Sequence, residues 1–86
     1  MNTNPTPDTV TEATLDCSGL LCPLPVYRAA LVLKRMGSGE RLRLITTDPG
    51  ALEDIPAMAR QRGDRVVSST ADDTKQVFVI EKGSQQ

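Results

Sequence analysis

Two sulfhydryls and no imidazole set the chemistry open to this chain: Cys17 and Cys22 are its only cysteines, and it contains no His. Without His it lacks the commonest acid–base group and the commonest metal ligand. Two cysteines do not complete a tetrahedral zinc site, so no metal is expected, and the transfer of sulfur between thiols read below needs no organic cofactor. Metalloenzyme, Ser-His-Asp hydrolase and Cys-His protease chemistry are disfavoured, and chemistry at sulfur is left. Cys22 opens the string Cys22-Pro23-Leu24-Pro25, between the connection Ser18-Gly19-Leu20-Leu21 and an expected helix. A thiol in that position faces unsatisfied backbone N–H groups and the positive end of the helix dipole. Both favour thiolate over thiol, which predicts a lowered pKa and a sulfur ionised at neutral pH. The prolines remove donors, leaving the amides of Leu24 and Val26, and they stiffen the turn that aims the sulfur. Displacement at sulfur, akin to thiol–disulfide exchange, suits such a group and needs no His base. A lone Cys in a small domain is also commonly a buried small hydrophobe. On the residues alone the nucleophile and the structural cysteine stand level.

The elements that must hold Cys22 are set by periodicity and punctuation. Ala13 to Cys17 reads as a short strand. Val26, Ala29, Ala30, Leu33 and Met36 fall on one face of a helix over about 23–36, and Gly37-Ser38-Gly39 offers its end a residue free to take positive φ. Arg41 to Thr47 begins with the alternation of a half-buried strand. Asp48 and Pro49 suit the N-cap and first position of a second helix, which would bury Leu52, Ile55, Met58 and Ala59 and stop at Gly63. Pro56 conflicts with an uninterrupted run from Pro49, since a mid-helix proline costs ~3 kcal/mol. A helix start near Asp54, with Pro56 in the first turn, is therefore expected. Arg65 to Thr70 and Lys75 to Lys82 read as a strand pair about a short hairpin. The order β-α-β-α-β-β, with right-handed crossovers, predicts an α/β two-layer sandwich: a mixed four-stranded sheet with two helices on one face. Arg41, Arg43, Arg65, Ser69 and Glu81 are candidates for the solvated face.

With 86 residues the chain is one domain. Residues 1–12, polar and holding two prolines, are expected to be a disordered tail, 13–82 the domain, and 83–86 a frayed end. Ten Lys+Arg against eleven Asp+Glu give a net charge of −1. With so few aromatics for base stacking, that balance counts against an RNA-binding module. No secretory signal or membrane-length apolar run is visible, which predicts a cytoplasmic protein with reduced thiols.

Taken together, Leu15-Asp16, Gly19-Leu20 and Cys22-Pro23-Leu24-Pro25-Val26 resemble the N-terminal signature of the TusA (SirA-like) family of sulfur carriers. Thr47-Asp48-Pro49, Asp54-Ile55-Pro56 and Gly63 resemble its second segment at the right spacing, and the likeness covers nearly all of 14–82. It implies the two-layer fold already deduced and a sulfurtransferase acting as a protein persulfide carrier. Cys22 would be the catalytic residue, with Gly19, Pro23, Leu24 and Pro25 as the supporting loop and helix start. It also implies a donor, either a cysteine desulfurase or a rhodanese, and an acceptor protein serving tRNA thiolation, cofactor synthesis or oxidation of reduced sulfur compounds. Nothing in the chain demands more than a monomer, and no direct nucleic-acid or membrane contact is expected. Leu20, Leu21, Arg28 and Asp48 are candidates for partner docking, although the leucines packing under the loop, Arg28 on a solvated helix face and Asp48 as a cap explain them as well. Relatives often carry a His after the glycine matching Gly63, where this chain has Asp64-Arg65. Cys17 stands where the family usually has a non-cysteine residue. It is a candidate resolving thiol, with a buried strand end as the preferred reading. The alternative to the carrier is a non-catalytic interaction or regulatory domain in which Cys22 is structural.

Overall fold

A computed structural model describes residues 12–83. In chain order it contains β1 (Glu12–Cys17), α1 (Leu24–Arg35), β2 (Arg41–Thr46), α2 (Ala51–Arg62), β3 (Arg65–Ala71) and β4 (Gln76–Glu81). The expected tail and frayed end fall on residues outside the described ones, except that Glu12 belongs to β1 and the Gly83 N–H donates to Asp64 Oδ1 (2.9 Å).

The strands form one mixed sheet in the order β1-β2-β4-β3. β1 runs parallel to β2, and β4 is antiparallel to both β2 and β3. The β3–β4 hairpin thus folds back so that its second strand, the most apolar in the sequence, takes a central place. α1 packs on β1 and β2, α2 on β3 and β4, and the two helices on each other. This is the predicted α/β two-layer sandwich. The core between the layers is made by alternation. Leu42, Leu44 and Thr46 of β2 and Gln76, Phe78 and Ile80 of β4 point inward to meet Ala29, Leu33, Ile55, Met58 and Ala59. Each large aliphatic so buried contributes about 1.5–3 kcal/mol.

On the other face Glu81 pairs with Arg41 and Arg65, its carboxylate 3.9 and 2.8 Å from their guanidinium nitrogens. Ser69 is not part of that face. The β3 register slips between Val66 and Ser68, so Ser69 stands opposite Phe78 and Ser68 opposite Val79. A single extra residue at Val67 exchanges the faces of the strand residues beyond it.

Both helices depart from the expected ends. α1 stops with Met36 in an extended conformation rather than a left-handed one, and Lys82 Nζ caps it by donating to the Leu33 and Met36 carbonyls (2.7 and 2.9 Å). α2 begins at Ala51 and carries Pro56 inside it, with Gly50 and not Asp48 at the N-cap. The turn at Pro49-Gly50 winds the chain early, through Ala51 N–H to Asp48 C=O (2.9 Å) and Leu52 N–H to Pro49 C=O (3.0 Å). Pro56 forfeits one bond, to the Leu52 carbonyl. Burial of Ala51, Ile55, Met58 and Ala59 along one face outweighs that loss. Leu52 is exposed rather than buried, because it lies about 100° around the helix from Ala51, at the flank of the face formed by Ala51, Ile55, Met58 and Ala59. Gly63 closes α2 at φ 86°, the left-handed cap its position suggested.

Candidate functional site

The loop between β1 and α1 is pinned by local turns and by the end of β2. The Asp16 carboxylate accepts from Ser18 N–H (2.9 Å) and Ser18 Oγ (2.6 Å), bonds that hold its pKa below the usual value. Gly19 sits at φ 83°, a conformation that favours glycine, and its N–H donates to Thr47 Oγ1 (2.8 Å). Leu20 N–H reaches the Cys17 carbonyl (3.1 Å), and Leu24 N–H the Leu21 carbonyl (2.8 Å). The Cys22 N–H donates to Asp48 Oδ2 (2.6 Å). Asp48, expected as a helix cap, instead ties the two loops together and fixes the backbone of the cysteine. Behind it Thr46 and Gln76 bond side chain to side chain at 2.6 Å, and with the Gln76 amide turned so that its nitrogen faces the acceptors around it, that nitrogen donates to Thr46 Oγ1 (2.6 Å) and to the Asp48 carbonyl (3.2 Å).

Cys22 is half-buried at the mouth of α1, with Pro23 as the N-cap, a cis Cys22-Pro23 bond, and Pro25 buried in the first turn. Cys17 is wholly buried at the end of β1. Both thiols are free. Burial pushes the Cys17 thiol up, against a smaller downward pull from Arg28. A sulfur with no exposure is poorly placed to attack a persulfide, which favours the strand-end reading of Cys17 over the resolving one.

The expected lowering of the Cys22 pKa is overturned. Its Sγ donates to Asp54 Oδ2 at 2.5 Å. That bond first, then desolvation and the charges of Asp54 and Asp48, push the thiol from 9.0 up to about 11. The helix end does not compensate, because it has few donors to give: Pro23 and Pro25 have none, and the Leu24 amide is spent on Leu21. At neutral pH the resting sulfur is therefore a thiol. Alkylation of native protein should label Cys22 and spare Cys17, with the Cys22 rate climbing about tenfold per pH unit until it levels near pH 11. Because the folded pKa is raised, the stability this contact contributes is complete below pH 9 and is lost as pH rises through about 11. Rate against pH, read by mass spectrometry, checks the first expectation, and a plateau below pH 9 would refute it.

Asp54 is the site residue that sequence reasoning misses. Its place near a helix start suggests only a partner for the helix dipole, although Asp54-Ile55-Pro56 stands in the signature. Of the other candidates, Leu20 is half-buried against the core and Arg28 is exposed on α1. Leu21 (71% exposed), Leu24 (46%), Tyr27 (61%) and Leu31 (61%) form an apolar surface running from the cysteine along α1. Among the described residues no group of three or more Cys, Asp or Glu is arranged to hold a metal ion, and no helix is long and apolar enough to cross a membrane.

Residues 13–82 match the family model described as "Sulfurtransferase TusA". The chain is 46% identical over 68 residues to the sulfur carrier protein TusA of Allochromatium vinosum, covering 79% of this chain and 90% of that one. It is 39% identical over 74 residues to a putative sulfur carrier protein of Aquifex aeolicus, covering 86% of this chain but 38% of that longer relative. A putative sulfur carrier protein of Neisseria meningitidis is 38% identical over 68 residues, 79% of this chain and 92% of its own.

Proposed function

The chain belongs to the sulfurtransferase TusA family of sulfur carriers, and from that premise we propose that it carries sulfane sulfur as a persulfide on Cys22, receiving it from one protein and handing it to another. The observation that carries this reading is the contrast between the two thiols. Cys17 is sealed in the core, whereas Cys22 reaches the surface on a loop tied down by Asp48. In loading, Cys22 gives up its proton as Sγ attacks the outer sulfur of a donor persulfide, and the donor sulfur leaves with the electron pair of the broken S–S bond and takes up a proton. In delivery, an acceptor thiolate attacks the outer sulfur of Cys22–S–SH and Cys22 is regenerated. The sulfane sulfur keeps its oxidation state throughout, so neither step calls on a metal or organic cofactor.

The exposed stripe of Leu21, Leu24, Tyr27 and Leu31 beside Cys22 supports docking of donor and acceptor there, through contacts that exclude water from the exchanging sulfurs. Arg28, exposed on the same helix, suits steering of an acidic partner. A cysteine desulfurase or rhodanese fits the donor's chemistry. A protein serving tRNA thiolation, cofactor synthesis or sulfur oxidation fits the acceptor's. The carrier works as a single chain in a reducing compartment such as the cytoplasm, where Cys22 stays free.

One observation is equally at home in the non-catalytic alternative: a structural cysteine would also spend its S–H on a neighbouring carboxylate, as Cys22 does on Asp54 Oδ2. A single experiment separates the two. Incubation with a cysteine desulfurase and cysteine, followed by peptide mapping under non-reducing conditions, should find one added sulfur atom on the peptide containing Cys22. No uptake, or uptake confined to Cys17, would leave the interaction-domain reading.

A further inference from the structure

The Cys22–Asp54 contact treats the empty and loaded forms of the carrier differently. In the empty form the Cys22 Sγ–H donates to Asp54 Oδ2. In the persulfide Sγ is bonded to Cβ and to the outer sulfur, and it has no hydrogen to give. The proton, where one remains, sits on the outer sulfur, one S–S bond of about 2.05 Å farther out. The bond that held the thiol is then replaced by a carboxylate oxygen facing sulfur lone pairs. An ionised persulfide adds a negative charge beside Asp54 and Asp48, whose Oδ2 is already fixed on the Cys22 N–H. Neither aspartate belongs to the ion pairs Arg41–Glu81, Arg62–Asp64 and Arg65–Glu81, which lie elsewhere on the molecule.

Resting on the persulfide reading, we propose that Asp54 is a positioning residue that biases Cys22 toward its empty form, so that the carrier holds sulfur weakly and gives it up readily to an acceptor thiol. The exchange it tunes is R–S–SH + Cys22–SH giving R–SH + Cys22–S–SH. The Sγ–S bond forms as the donor S–S bond breaks, and the electron pair of the broken bond goes to the donor sulfur. The proton of Cys22 ends on that sulfur. Atoms and charge balance, and nothing is oxidised or reduced overall. A carrier that bound sulfur as tightly as it could would load well and deliver poorly. A hydrogen bond available only to the thiol sets the opposite bias.

The test compares parent, Asp54→Asn and Glu53→Gln. The last removes the exposed neighbouring carboxylate on the same helix turn and serves as the control. Each is equilibrated anaerobically with a fixed ratio of glutathione persulfide to glutathione, and the loaded fraction of Cys22 is read from intact mass. Circular dichroism confirms that each variant is folded. Asparagine keeps the shape of the side chain, removes its charge, and can donate to a sulfur without a proton. The loaded-to-empty ratio should rise about tenfold or more in Asp54→Asn and stay at the parent value in Glu53→Gln. The alkylation midpoint of Cys22 should fall from about 11 toward 9 in Asp54→Asn alone. Equal loading of parent and Asp54→Asn would overturn the bias while leaving the carrier reading standing. Failure of every variant to load at Cys22 would remove the carrier reading, and the bias with it.

Discussion

Replacing Cys22 by serine should leave the fold intact and abolish sulfur loading. The contacts that shape the loop are made by its backbone: Cys22 N–H to Asp48 Oδ2, Leu24 N–H to Leu21 C=O, and Gly19 N–H to Thr47 Oγ1. None of them uses the sulfur. The serine hydroxyl can still donate to Asp54, and at a half-buried position so small a change shifts stability by about 0.5 kcal/mol or less. The chemistry does not survive, because a thiolate is the nucleophile in exchange at sulfur and an alcohol is neither acidic enough nor nucleophilic enough toward sulfur to replace it. Thermal unfolding should match the parent. Intact mass after incubation with a desulfurase and cysteine should show no added sulfur, since the remaining thiol, Cys17, is wholly buried. A Cys22→Ser protein that still gained a sulfur atom would move the site elsewhere.

The fold is readable where a local rule decides and hidden where a distant contact does. Alternation in Arg41 to Thr46 and the helical stripe of Ala29 and Leu33 announce which side of each element is buried, and the core is built from those residues. No local pattern marks the bulge at Val67, which moves Ser69 off the open face, because a β-bulge depends on how the partner strand is paired. The start of α2 is misread for a related reason. Proline propensity argues for Asp54, but tertiary burial of Ala51 and Ile55 carries the helix back to Ala51. That shift bears directly on the site, since it sets the turn from which Asp54 reaches Cys22. The position of the nucleophile is legible in Cys-Pro-x-Pro, but its ionisation is not. The helix-end rule assumes free amide donors, and the same prolines that mark the motif remove them. The carboxylates that decide the matter come from 26 and 32 residues away. The usable signal is that the two aspartates share one segment of the signature, each with a proline close behind it.

The second large effect lies in the core. Phe78→Ala should cost about 3–5 kcal/mol. Phe78 is fully buried on the central strand β4, opposite Leu44 of β2 and Ser69 of β3. The only other aromatic residue in the chain, Tyr27, is exposed. The core is otherwise aliphatic, Ala, Met and Cys17, with no second ring to collapse into the space. Single domains are stable by only about 5–15 kcal/mol, and small ones lie toward the lower end. The loss therefore consumes much of the total. At about 4–8 °C per kcal/mol for a domain of this size, the melting temperature should drop by roughly 12–40 °C. Sulfur loading should fall with it, and for a reason distinguishable from Cys22→Ser. The Leu44–Phe78 pair lies two residues before the Thr46–Gln76 pair, beyond which β2 delivers Thr47 and Asp48 to the cysteine loop. Unfolding dissolves that bracket without touching Cys22 itself. Loading by Phe78→Ala measured against temperature should thus track its folded fraction and recover in the cold, whereas Cys22→Ser should stay inactive at every temperature. A Phe78→Ala protein melting with the parent would mean that the sheet is held by something other than this core.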